Sequence, residues 1–114
     1  MIGNIKDLES ITINHPSANN ASMQVLIGKQ EGWQDYVMRV VEVSPGGFTP
    51  KHTHPWPHIN YFLEGKGTLL LNNEEHPVES GSYSFVPENS LHQFKNTTDQ
   101  IFKFICIVPK EGHQ

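Results

Sequence analysis

Four histidines carry the chemistry that this sequence offers. His52 and His54 are separated by one residue, His58 lies four residues after His54, and His92 lies far downstream. In an extended strand, alternate residues point to the same face, so His52 and His54 share one. Two imidazoles forced together repel when protonated and leave lone pairs without partners when neutral. A metal ion resolves both problems, because neutral imidazole is the commonest side-chain metal ligand. The other three of the seven histidines, His15, His76 and His113, sit in polar loop or tail sequence and read as ordinary surface residues.

The elements that must position these rings are short and extended. No window keeps the i, i+3, i+4, i+7 apolar spacing of a helix. Strands are predicted over 22–29, 36–43, 58–64, 68–71, 77–79, 83–86, 92–95 and 101–108, separated by Gly, Pro and Asn turns. The segment 44–47 reads as a turn closing the clearest strand, and 72–75 as a hairpin tip. Residues 11–13 are a further short strand. The chain before the barrel reads as a loosely ordered arm, or as a strand lent to a partner subunit. Pro55 and Pro57 break any ladder between His54 and His58, so His58 opens a new strand. All four histidines then fall at strand mouths, where one end of an all-β sandwich or barrel would bring them together.

Composition narrows the function. The chain has 114 residues, enough for one domain, with 36% hydrophobic and 18% charged residues, 9 Gly and 8 Pro. A formal net charge of −4 argues against a nucleic-acid surface or an acidic membrane as partner. One cysteine excludes an intrachain disulfide framework. No apolar run approaches the roughly 20 residues of a membrane span. No basic segment followed by an apolar one opens the chain, so a cytoplasmic location is expected.

The spacing around the histidines resembles the cupin superfamily. Gly46, five residues, His52-Thr53-His54, three residues, His58, six residues and Gly65 follow the first cupin motif. Gly81, five residues, Pro87-Glu88-Asn89, two residues, His92, three residues and Asn96 follow the second. Two positions depart from the pattern. Asn89 stands where the family has Gly, at a turn that needs positive φ, which Asn tolerates. His58 stands where the family usually has Glu. Residues 36–47, 52–58, 84–96 and 105–112 are similar to small single-domain manganese cupins with a four-histidine site. The resemblance implies a single-domain jelly-roll β-barrel over 25–112, preceded by an arm and strand over 1–24, and a homodimer. It also implies one divalent metal on His52, His54, His58 and His92, with manganese favoured over iron, nickel, zinc or copper.

Four neutral ligands leave the full charge on such an ion, which makes it a stronger Lewis acid and favours an anionic substrate. Strand parity sketches the surrounding wall. Phe94 shares a face with His92, and Asn60 shares one with His58. Lys103 must face outward, which turns Phe104 and Cys106 inward. On the strand 36–43, either Met38 and Val40 or Arg39 faces in, and an inward Arg39 would anchor an anion. Trp56 is placed to cap the pocket mouth.

Three functions stay open, and the open metal positions and the apolar wall favour the first. It is an enzyme of oxidative, dioxygenase-like or peroxide-dependent, chemistry on a small organic substrate. The second is a non-redox lyase or isomerase. The third is a module that binds a metal or small anion without turnover. A closed structural zinc site is a further alternative, although an all-β domain of this size does not need a metal to fold.

Overall fold

Short apolar runs punctuated by turn residues fold as an all-β chain. The computed structural model describes residues 1–113. Its strands are β1 (Ile11–Thr12), β2 (Asn19–Ile27), β3 (Tyr36–Phe48), β4 (His58–Glu64), β5 (Lys66–Leu71), β6 (Glu74–Glu79), β7 (Tyr83–Val86), β8 (His92–Lys95) and β9 (Phe102–Pro109). Single 3-10 turns cover Ile5–Asp7, Lys29–Glu31 and Lys110–Gly112. Every pairing is antiparallel. The order is β6-β5-β8-β3-β9-β4-β7, with β2 added to β3 and β1 to β2. The result is a nearly closed barrel of the expected jelly-roll class.

The largest departure from the sequence reading is β3. The turn expected at 44–47 does not end the strand, which continues to Phe48 with Gly46 at φ 77°. The register against β2 slips there: Ala21 faces Val43, but Asn19 faces Phe48. Such a bulge adds residues to one strand and bends it. The bend lets β3 pair with β9 along its first half and reach Lys95 of β8 at its end.

The β5–β6 tip is a two-residue turn with Asn72 at φ 50° and Asn73 at φ 69°, the mirror-image turn that suits strand twist. Here β6 is longer than the sequence suggested and carries Pro77. As an end strand it has no neighbour that needs the missing N–H. Within this chain Ile11 and Thr12 pair with Met23 and Ser22. The arm before them is tied down. Gln24 Nε2 donates to the carbonyls of Ile5 and Leu8 at 2.9 and 3.0 Å.

The core is aromatic. Phe62, Phe102 and Phe104 are almost completely buried, and Phe62 stacks on Phe102 at 5.6 Å. A Cβ at Gly67 would lie 2.4 Å from the Phe102 ring, so only glycine lets β5 lie that close. Burial on β9 alternates as parity predicts, with Phe102, Phe104, Cys106 and Val108 inward. Lys103 faces out and pairs with Glu42 at 3.4 Å. On β3 the inner face is Val37, Arg39, Val41 and Val43, so Met38 and Val40 are the outer choice.

Candidate metal centre

The histidines meet because three segments converge at one barrel mouth. Past β3 the chain runs antiparallel to β8. Thr49 N donates to Phe94 O at 2.9 Å, and His52 and His92 exchange both backbone hydrogen bonds, at 3.2 and 3.1 Å. The Pro87–Asn89 turn then braces the other side, with Asn89 N donating to His54 O at 2.7 Å. Asn89 has φ 63°, the positive value its place in the motif requires. His58 opens β4 and points inward with Asn60 and Phe62.

His52, His54 and His92 form the cluster, each offering a ring nitrogen within 4.8 Å of the others. His58 joins through His92, their Nε2 atoms 3.2 Å apart. Two imidazole nitrogens held side by side on one ion at about 2.0–2.1 Å would stand roughly 3 Å apart, so this spacing suits a shared metal.

Tautomers make the case stronger. His54 Nδ1 faces the carbonyl of Trp56 at 2.8 Å, His92 Nδ1 faces that of Ser90 at 2.9 Å, and His58 Nδ1 faces Asn60 Oδ1 at 3.1 Å. A carbonyl oxygen only accepts, so each Nδ1 carries the proton and each Nε2 is a bare lone pair. Those lone pairs point into one another's space, which is repulsive without a cation between them. The residues present therefore fit a metal ion.

Electrostatics keep the rings ready to ligate. Burial, then the neighbouring His92, pushes His58 down to about 3, and the same two causes take His52 down to about 4. His54 and His92 are also lowered, chiefly by burial. All four are neutral at pH 7, the form that binds a metal.

The cluster opens into a cavity of about 170 Å³ with a largely apolar wall. Phe94 and Phe104, 4.3 Å apart, form part of that wall, with Cys106 and Arg39 beside them. Trp56 also lines the cavity, stacked on His54 at 4.7 Å, and a Cβ at Gly112 would lie 2.5 Å from its indole nitrogen. Asn60 is placed differently from the pocket role expected of it. It does not line the cavity but sits behind His58, held by Ser84 Oγ at 3.0 Å, because the ring occupies the space in front. The sequence reading missed Ile13 and Met23 in the wall. They come from β1, its flank and β2, where the period-2 signal was weakest. It also missed His113, whose Nδ1 lies 3.5 Å from Arg39 Nη1. A tail residue gives no sequence signal of where it docks.

Known proteins share this architecture. The polyketide cyclase RemF from Streptomyces resistomycificus superposes with a TM-score of 0.90 at 30% identity, over 96% of this chain and 78% of that one. The 1-methylthio-D-xylulose 5-phosphate methylsulfurylase of Rhodospirillum rubrum is 30% identical over 74 residues, 65% of this chain and 47% of that protein. A glucose-6-phosphate isomerase of Thermococcus onnurineus is 36% identical over 75 residues, 58% of this chain and 40% of that one. The chain spans about half the length of the curated relatives it matches. The cupin domain family model matches residues 39–108, a span that takes in His52, His54, His58 and His92 together with the turn bracing them. On that match, and on the barrel that carries it, this chain belongs to the cupin domain family.

Proposed function

We propose that this chain is a non-redox metal enzyme that acts on a carbonyl-bearing small organic substrate, in the manner of a cyclase. One divalent ion would be held by His52, His54, His92 and His58. The ion implied by resemblance is manganese, while an all-imidazole donor set also suits zinc, nickel, copper or iron. Such an ion supplies Lewis-acid polarisation of a carbonyl oxygen. The observation that carries the reading is the cavity itself: bare imidazole nitrogens open onto an apolar chamber whose lining, among the described residues, holds no carboxylate. The likeness to a polyketide cyclase over nearly the whole chain supports it.

The chain's own residues do the rest. Phe94, Phe104, Val41 and Val108 exclude water from the substrate body. Asn60 fixes the plane of His58. Among the described residues, no carboxylate in the wall stands ready as a general base. That favours a substrate whose α-protons are already acidic, such as a 1,3-dicarbonyl, over an aldose.

The oxidative reading keeps one supporting observation, since the same apolar wall suits dioxygen. The two separate under anaerobic conditions. The metal-loaded protein is expected to consume a 1,3-dicarbonyl model compound without oxygen, and to lose that activity when chelated. A strict requirement for oxygen or peroxide would overturn the cyclase reading in favour of the oxidative one. No turnover of any dicarbonyl, with full metal content, would favour the binding module.

We also propose that the protein pairs with a second copy. Ile59, Tyr61 and Leu63 on β4, and Tyr83 and Phe85 on β7, are large apolar side chains on the outer face, between 40% and 83% exposed. Ile59 pairs with Phe85 and Tyr61 with Tyr83, so they form one patch rather than scattered residues.

A further inference from the structure

Among the described residues, Arg39 is a cation without a counter-charge. It lies opposite Cys106 on β9 and Val25 on β2, facing the cavity. Its Nη2 donates to Cys106 Sγ at 3.4 Å. Its Nη1 stands 4.0 Å from Met23 Sδ and 3.5 Å from His113 Nδ1. Its Nε is shut off from solvent and has no partner among the described residues. Two sulfurs and one imidazole are poor acceptors for the five donors of a guanidinium. Among the described residues neither Asp nor Glu lines the cavity, and the ion pairs belong to His76, Lys95, Lys103 and Lys110. Shielding an unpaired charge is costly. An anion entering the cavity would supply what the fold leaves out.

We infer that Arg39 anchors a carboxylate on a substrate with an apolar, ring-sized body. This rests on the function proposed above for the substrate's other end, where a carbonyl meets the histidine cluster. The class follows from the donors. A planar guanidinium fork matches a carboxylate in two parallel hydrogen bonds. A phosphate dianion is met by several donors from lysines or clustered backbone N–H groups, and among the described residues the cavity lining has no lysine and no second arginine. The body follows from the wall, where Met23, Val41, Phe94, Phe104 and Val108 surround about 170 Å³. An apolar cavity of about 150 Å³ is large enough for benzene.

Benzoate is therefore the probe, titrated calorimetrically into the metal-loaded protein, with benzamide and inorganic phosphate as comparisons and metal content measured on each sample. Benzoate is expected to bind at least about tenfold more tightly than either comparison, and Arg39→Met to weaken it by about tenfold or more. Arg39→Lys should fall between, since it keeps the charge but loses the fork. Arg39→Met should melt no lower than the wild type, because it keeps an apolar stem and removes an unpaired charge. Equal benzoate affinity in Arg39→Met, tighter binding of phosphate, or no benzoate binding by the wild type would each overturn the inference. Metal content keeps the two readings apart. If the metal is present and benzoate binding ignores Arg39, only this inference falls. If the protein takes up no metal and benzoate still depends on Arg39, the metal-enzyme reading falls and this one stands.

Discussion

At the scale of single residues, the site is set by which nitrogen of each ring holds its proton. His54, His58 and His92 all donate through Nδ1 to an oxygen that can only accept, which leaves every Nε2 free. For His54 and His92 that oxygen is a backbone carbonyl, beyond the reach of side-chain substitution. For His58 it is the amide of Asn60, which makes Asn60 the testable positioning residue. Asn60→Leu is expected to lower metal affinity about 10- to 100-fold, the usual effect of losing a ligand's hydrogen-bond partner, and Asn60→Asp to restore much of it. A competition titration against a coloured chelator reads both. His52→Ala and His58→Ala should each reduce metal occupancy by elemental analysis, and unchanged occupancy in both would remove the four-histidine assignment.

At the scale of elements, turns do the aligning. The Pro87–Asn89 turn hydrogen-bonds to the His54 carbonyl and leads directly into β8, so its shape sets two ligands at once. Asn89 holds φ 63°, a left-handed value that a β-branched residue resists. Asn89→Val is expected to cost about 1–2 kcal/mol in urea denaturation and to lower metal content, while Asn89→Gly leaves both unchanged. If Val proves as stable as Asn, the turn is not held in that conformation. The bulge at the end of β3 works in a similar way. It bends one strand across two parts of the barrel and delivers the chain to His52 alongside β8.

At the scale of the whole molecule, the barrel has one wet outer face that is too apolar to be ordinary. The β4–β7 patch is predicted to bury itself against its own copy. The wild type should sediment at the mass of a dimer, and Tyr83→Lys combined with Phe85→Lys at that of a monomer with its metal content intact. A wild type that sediments as a monomer would end the pairing proposal. Among the described residues, no helix is long and apolar enough to cross a membrane.

Much of this was legible along the chain. The strand at 58–64 appears with the bounds read from the sequence, and so do those at 83–86 and 92–95, because strong turn residues bracket each of them. The inward parity of β9 was legible because a single charge, Lys103, labels one face as outer. The histidine constellation was legible because a fixed-offset pattern of Gly, Pro and His encodes turns as well as ligands. The bulge at 44–47 was not, since Ser-Pro-Gly-Gly reads equally as a terminus or as a kink until a neighbouring strand pairs across it. Nor was the role of Asn60, since sharing a face with His58 does not say which of the two stands in front.

Arg39 marks the boundary most clearly. Both faces of β3 carry apolar residues, Val37, Val41 and Val43 on one and Met38 and Val40 on the other. Alternation alone says that Arg39 sits opposite Met38, and nothing local says which of them turns inward. Local sequence determined most of the strands and turns and set the four rings at strand mouths, because those depend on neighbours a few residues apart. Only the nearly closed barrel decided that an arginine would face the cavity with no acid beside it among the described residues. That outcome depends on how β2 and β9 pack on either side of β3, at separations along the chain where sequence periodicity carries no information.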